Sequence, residues 1–289
     1  MKAAIHKSAI PDSQLFVVKY LEEKHFDPTW HAHAEIQLFV VLEGTGTRFI
    51  GNSMHSFSPG ELVLIGPHLP HLWRSDEAYF VKNSSLRTKG IVIYMHQDFL
   101  GTSIMEKEEM MLVKRLFHKS SLGLEFYGSE KKQVIRLMKE MCELKGLESV
   151  IHLLRILNLL SVTKEYRLIS TTAYLNPAKA SETDRMNKVY EYVLKNFRKK
   201  INLADMASLL HMTPTSFSRY FTMKSNKTFS RFLSEIRIKH ACKLLIETDS
   251  SIEQVCYECG FNTLSNFNMQ FKEIMSQKPS EYKKEFMNI

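Results

Sequence analysis

The segment Trp30-His31-Ala32-His33-Ala34-Glu35-Ile36-Gln37 places two imidazoles, a carboxylate and an amide at every second position. Ala32, Ala34 and Ile36 lie between them, and an apolar run then continues to Leu42. A period of two is that of a β-strand, which predicts all four polar side chains on one face. Two histidines and a carboxylate on one face have the donor set of a metal site. The same groups also suit a pocket that recognises a small polar molecule through hydrogen bonds. A second candidate is the pair Cys256 and Cys259, spaced as in a zinc or redox motif. It lacks a second such pair and nearby histidines to complete four ligands, so it reads as two buried helix residues.

These groups need elements to hold them. Residues 14–100 contain short apolar runs: QLFVVKYL (14–21), EIQLFVVLEG (35–44), TRFIG (47–51), GELVLIG (60–66) and GIVIYMH (90–96). Gly, Pro and Asn separate them, and short strands with such turn signals predict a β-sandwich or barrel. From about residue 104 the period becomes helical, with Val134, Leu137, Met138 and Met141 on one stripe. The segment 148–162 is apolar almost all round, which fits either an internal core helix or a subunit interface with outward positions such as Leu153 and Leu157. The stretch STTAYLNPAKASETD (170–184) has no clear period and reads as a linker, and the remainder reads as helical.

The chain has 289 residues, 44% hydrophobic and 24% charged, as expected for about two globular domains. No apolar run reaches the ~18 residues that span a bilayer. The N-terminal MKAAIHKSAIPDSQL lacks the apolar core of a secretion signal, so a cytoplasmic location without membrane attachment is expected. The net charge of +8 is uneven: residues 184–289 carry 17 Lys and Arg against 11 Asp and Glu, hence +6. A basic C-terminal third suits nucleic-acid binding.

That third also repeats itself. SFSRYFTMKSNKTFSRFL (216–233) aligns with NFNMQFKEIMSQKPSEYK (266–283) at an offset of 50, matching Phe217 with Phe267 and Phe221 with Phe271. Before each lies a short amphipathic segment, 202–212 or 251–261, with a small residue, Ala207 or Cys256, inside it. A turn follows, then a helix opening at Thr213-Pro214 or at Asn262-Thr263, both good helix starts. Helix, turn, helix with a small residue at the crossing is a helix-turn-helix, here present twice.

Over about its last 105 residues the chain resembles the AraC/XylS family of bacterial transcriptional regulators. The resemblance rests on Ala207, SFSRYF with Arg219, RIKHACKLL (237–245), Ser250 to Ile252, Gly260-Phe261, FNMQFK (267–272) and PSEYK (279–283). Asn226 and Ser276 stand where the family carries glycine after each recognition helix, and Met269 stands where it often has a basic residue. A recognition helix needs short polar or Arg side chains toward the groove and large apolar ones behind. The expected DNA-binding residues are therefore Thr213, Thr215, Ser216, Ser218 and Arg219 in the first module, and Thr263, Ser265, Asn266 and Asn268 in the second.

The resemblance extends to an N-terminal cupin-like β-barrel with dimerisation helices, carried by His31 and His33, Leu42 to Gly44, and FSPGELVLIGPHLPHLW (57–73). A metal-dependent cupin enzyme would place a carboxylate three or four residues beyond the second histidine, where this chain has Gln37 and Leu38. His31, His33, Glu35, Gln37, Arg48, His71 and Trp73 are accordingly expected to line an effector pocket, with no metal and no cofactor. Polar groups beside an indole suit a sugar or related small molecule.

The expected fold class is α+β: a cupin-like barrel with dimerisation helices over 1–169, a linker over 170–184, and an all-α double helix-turn-helix domain over 185–289. The expected function is a ligand-responsive, sequence-specific transcriptional regulator, not an enzyme. Its expected partners are double-stranded DNA, a small-molecule effector, RNA polymerase and a second copy of itself. The competing reading is a metal-dependent cupin enzyme fused to a DNA-binding module.

Overall fold

The computed structural model describes residues 10–171 and 180–287, with the side chains of 180–184 and 286–287 outside the description. It divides into two compact units, Met1–Thr183 and Asp184–Ile289. The first contains β1 (Phe16–Glu23), β2 (Ile36–Glu43), β3 (Gly46–Ile50), β4 (Ser53–Phe57), β5 (Leu62–Ile65), β6 (His71–Ser75) and β7 (Thr88–Met95). After these come α1 (Thr102–Met105), α2 (Met111–Ser120), β8 (Leu124–Phe126), α3 (Gly128–Met141), α4 (Gly146–Val162) and β9 (Tyr166–Leu168).

A six-stranded antiparallel sheet in the order β1-β7-β2-β5-β8-β9 is accompanied by a three-stranded sheet, β4-β3-β6. Alternation along the strands sends side chains of the larger sheet into two cores. Phe39, Val41, Val63, Ile65 and Val92 meet Ile50, Phe57 and Trp73 of the smaller sheet. Ile36, Leu38, Val40, Leu62, Leu64, Ile91 and Ile93 pack instead with α2, α3 and α4. The second core explains why α4 is apolar on so many sides. Leu153, Ile156, Leu157 and Leu160 are buried in it, opposite Val134, Leu137, Met138 and Met141 of α3. Leu153 and Leu157 are fully buried within one chain, so neither is an outward position; this corrects the expectation from the sequence.

Four short strands escaped the sequence reading: in β4 and β6, SMHSF and HLWRS mix polar and apolar residues too freely to show a period, and β8 and β9 are three residues each in a part read as helical. At the start of the expected linker, Ser170 is buried and donates to Asn52 Oδ1 at 2.9 Å, and Thr171 N donates to the same oxygen at 3.1 Å. Residues 172–179 lie outside the described residues, and the backbone of 180–184 already belongs to the next helix.

The second unit is all helical: α5 (Ala180–Asn196), α6 (Leu203–Leu209), α7 (Pro214–Ser225), α8 (Phe229–Glu247), α9 (Ile252–Glu258), α10 (Leu264–Met275) and α11 (Pro279–Met287). Start signals in the sequence fix its helix boundaries. Asn202 with Asp205, and Ser251 with Gln254, form reciprocal capping boxes that open α6 and α9. Thr213 Oγ1 accepts from Ser216 N to open α7, with Pro214 at the first helical position. The second module opens one residue later than expected: Thr263, not Asn262, caps α10 by accepting from Asn266 N. Thr263 is the counterpart of Thr213 at the offset of 50. Asn226 and Ser276 end α7 and α10 in the left-handed conformation, at φ 54° and 61°.

Gly260 shows why the turn after α9 needs glycine. Its φ is +83°, and a Cβ there would lie 2.7 Å from the carbonyl oxygens of Phe197 and Arg198. Arg237 holds the same corner, donating from Nε to Phe197 O and from Nη2 to Lys199 O, both at 2.8 Å.

Candidate effector pocket and nucleic-acid interface

The histidines converge, though not along one strand. The strand β2 begins only at Ile36, so His31, His33 and Glu35 precede it and Gln37 alone among the four lies on it. This corrects the expectation of a common strand face. The assembly comes instead from an isolated antiparallel bridge between His31 and His71, sealed by backbone hydrogen bonds of 3.1 and 2.9 Å. The result places ligand atoms of His31, His33 and His71 within 4.8 Å of one another. The rings of His31 and His71 have centroids 4.4 Å apart, and those of His33 and His71 5.0 Å apart.

Backbone carbonyls orient these rings. His31 Nδ1 lies 2.7 Å from Thr29 O, His33 Nδ1 3.0 Å from Glu35 O, and His71 Nδ1 2.7 Å from Leu69 O. A carbonyl can only accept, so each Nδ1 carries a proton. His71 is fully buried; burial and the neighbouring His31 and His33 hold its pKa well below 6.5, so its ring is neutral. A neutral ring protonated at Nδ1 offers a bare lone pair at Nε2. That Nε2 lies 3.2 Å from the side-chain amide oxygen of Gln37, and His33 Nε2 lies 3.0 Å from the same oxygen. A lone pair facing an amide oxygen calls for a donor, and at 3.2 Å nothing fits between the two groups. The amide NH2 of Gln37, rotated by half a turn, supplies that donor to His71.

Glu35 is buried, with Oε2 3.5 Å from His33 Nδ1, on the side of the ring that meets the backbone. Trp73 is packed among Phe39 and His71, with centroids 4.8 and 5.8 Å away. Arg48 lies in a neighbouring ion cluster and does not touch the histidines. Its Nε donates to Glu61 Oε2 at 2.8 Å, its Nη2 donates to Glu125, and Trp73 Nε1 donates to Glu61 Oε1 at 3.3 Å. Burial raises the Glu61 pKa against the pull of Arg48. Burial also pushes Glu125 upward, but Arg167 and Arg48 outweigh it and the net shift is down. Arg48 is 1% exposed, and its Nη1 has no hydrogen-bond partner among the described residues.

Tyr94, Glu61 and Glu125 were missed from the sequence. Tyr94 pairs across the sheet with Gln37, its ring centroid 5.3 Å from that of His33, and burial lifts its pKa to about 12. Period two in GIVIYMH puts Tyr94 on the face of Val92, which was the available signal. Glu61 stands out as a charge at the head of an apolar strand, whereas Glu125 carried no pattern at all.

In the second unit, Phe217, Phe221, Phe267 and Phe271 are fully buried, so the opposite faces of α7 and α10 are the ones left outside. Thr215, Ser216, Arg219, Ser265, Asn266 and Asn268 are exposed, while Ser218 is half-buried. Thr213 and Thr263 are exposed too, but their hydroxyls already serve the helix caps. Met269 is 58% exposed beside them. Cys256 and Cys259 are buried free thiols. Burial raises the pKa of both, that of Cys259 to about 12, which leaves them protonated and unreactive.

Comparison with known proteins matches a helix-turn-helix domain to residues 206–285 and a cupin domain to residues 18–79. The transcriptional activator RhaR of Mannheimia succiniciproducens is 21% identical over 270 residues, 92% of each chain. The chain carries the two domains of an AraC-type transcriptional regulator. Further relatives match its C-terminal part. The transcriptional activator PerA of Escherichia coli O127:H6 is 33% identical over 44% of this chain and 45% of its own. The regulator YdeC of Bacillus subtilis is 31% identical over 36% of this chain and 35% of its own. Among solved structures, ToxT of Vibrio cholerae O395 aligns over 95% of this chain and 99% of its own at 16% identity, with a TM-score of 0.37. A chain with a cupin domain and an AraC-type helix-turn-helix domain is a DNA-binding transcriptional regulator. Among its described helices, none is long and apolar enough to cross a membrane.

Proposed function

We propose that this regulator responds to a small, neutral, hydroxyl-rich molecule of the sugar class bound at His31, His33, Gln37 and His71, with Trp73 and Tyr94 as its aromatic walls. The observation that carries the reading is the convergence of His33 Nε2 and His71 Nε2 on the Gln37 amide, at 3.0 and 3.2 Å. A hydroxyl donates to one such nitrogen and accepts from an amide NH2, so two ring nitrogens and an amide read adjacent hydroxyls. Arg48 and Glu35 support the walls of this pocket, Arg48 through its ion pairs with Glu61 and Glu125. The DNA contacts belong to Thr215, Ser216, Ser218 and Arg219 on α7, and to Ser265, Asn266 and Asn268 on α10. The regulator works as a homodimer.

The test is thermal unfolding of the full chain against a panel of carbohydrates, since a ligand that binds only the folded state raises the midpoint. With the best ligand in hand, His33→Ala and Gln37→Ala are each expected to weaken binding by roughly 0.5–1.5 kcal/mol, and together by more than about tenfold. DNA affinity without ligand should stay unchanged in both variants. Unaltered sugar binding in the double variant rejects the pocket.

A second reading has its own supporting observation. Three imidazoles with ligand atoms within 4.8 Å, each oriented by a backbone carbonyl, also fit a divalent metal ion such as zinc, iron or manganese. The fourth neighbour is then an amide instead of a carboxylate, which makes a weaker set than a metal-dependent cupin enzyme requires. Elemental analysis separates the two: stoichiometric metal that disappears in His33→Ala favours the metal, and with it the cupin-enzyme alternative.

A further inference from the structure

A separate cavity of about 120 Å³ lies between α2, α4 and the β8–β9 pair. It sits on the helical side of the six-stranded sheet, because its floor residues Leu116, Leu124 and Leu160 belong to the core shared with α2, α3 and α4. The histidine cluster lies on the other side, where Gln37 alternates with Ile36 and Leu38. The floor is apolar and the rim is cationic. Arg115 and Lys119, one helical turn apart on α2, both line the cavity, and neither pairs with a carboxylate among the described residues. Lys119 Nζ donates to Tyr166 OH at 2.9 Å, and Tyr166 lines the same cavity.

One feature opposes an anion here. Ser161 and Thr163 line the cavity at the carbonyl end of α4, which carries the negative half of the helix dipole. That end amounts to roughly half an elementary charge, against two full positive charges on Arg115 and Lys119. Thr163 N also satisfies Leu159 O at 3.2 Å, which reduces it further. The balance favours a negative group at the mouth and an apolar body on the floor.

We propose that this cavity is a second small-molecule site, independent of the histidine pocket, that takes a small amphipathic monoanion. The volume is that of about four water molecules, which limits the tail to about four carbons. The headgroup lies between Arg115 and Lys119 and the tail on Leu116, Leu124 and Leu160. An occupant would tie α2 and α4 to the β8–β9 edge of the sheet.

The experiment follows the leucine methyl signals of the full chain by NMR while pentanoate is added at millimolar concentration. Pentanol supplies the same tail without charge, and inorganic phosphate supplies charge without a tail. Pentanoate should shift the Leu116, Leu124 and Leu160 methyls in a saturable manner. The exposed double variant Arg115→Gln/Lys119→Gln, which leaves the floor untouched, should weaken this by about tenfold. Pentanol binding as tightly as pentanoate, or undiminished pentanoate binding in the variant, would reduce the site to an apolar void and overturn the proposal. Phosphate binding as tightly as pentanoate would overturn it too, leaving only a generic cationic patch. No pentanoate shift at all would do the same.

Discussion

Protonation of His71 works against the fold, because burial strips water from the charged ring and His31 and His33 stand beside it. Its folded pKa lies well below 6.5, while the unfolded chain titrates near the ordinary value. Below that value the unfolded state binds more protons than the folded one, so stability falls as pH drops through 6.5 and levels off beneath the folded pKa. His71→Gln should flatten this acid limb. Denaturant unfolding of wild type and variant across that pH range checks it, and identical acid limbs in the two proteins would reject the assignment. At this scale the sequence named residues that lie together in the fold and missed the geometry that joins them. His31, His33, Gln37 and His71 do meet, yet a bridge to β6, invisible as a strand in HLWRS, brings them together. Arg48 was grouped with the pocket because of its polarity, and its actual partners, Glu61 and Glu125, are 13 and 77 residues away along the chain. Nothing local in a sequence records a partner at that separation.

Elements were legible where the signal is local. Capping boxes at Asn202 and Ser251, Pro214 at the start of α7, and the stripe of α3 all depend on neighbours within one or two turns. Ser276 shows the limit: it takes the left-handed position at a steric cost of roughly 1–2 kcal/mol, because the turn into α11 demands that conformation whatever residue is present. The apolar breadth of α4 was ambiguous for a different reason. A pattern reports how much of a helix is covered and says nothing of whether its own chain or a second copy does the covering. The structure assigns Leu153 and Leu157 to the chain's own core, which leaves Leu147, at 73% exposure, and Val162, at 53%, as the exposed apolar side chains of α4, with Val150, Ile151, Leu154 and Leu159 half-buried between them. A dimer built on α4 must therefore use these positions and not Leu153 or Leu157. Sedimentation of Leu147→Glu should show a shift toward monomer with unfolding unchanged, whereas Leu153→Glu should impair folding itself. A wild-type chain that is monomeric at micromolar concentration, free and on DNA, would remove α4 from the interface.

Across the whole molecule, charge and repetition divide the work. Residues 184–289 hold +6 of the net +8, and the repeat at an offset of 50 gives two recognition helices built alike on their buried faces. Phe217 and Phe221 in one, and Phe267 and Phe271 in the other, anchor the helices in the same way. Their outer faces differ. The first carries an exposed Arg219, the second an exposed Met269 at the matching position. Arg can bond a guanine through two hydrogen bonds or clamp a phosphate, and methionine can do neither. Two such modules are expected in successive major grooves about 34 Å apart, with the first holding more tightly. Arg219→Ala should cost on the order of 1–3 kcal/mol of specific binding and shrink the footprint over its half of the site. Met269→Arg adds a cation to the weaker half. It should leave affinity unchanged or tighten it, and steepen the salt dependence by about one counterion if the new side chain reaches a phosphate. Mobility shifts and footprints over a range of salt concentrations read both effects. An unchanged affinity and footprint for Arg219→Ala at physiological salt would mean that α7 does not enter the groove, and the assignment of the two helices would have to be reversed.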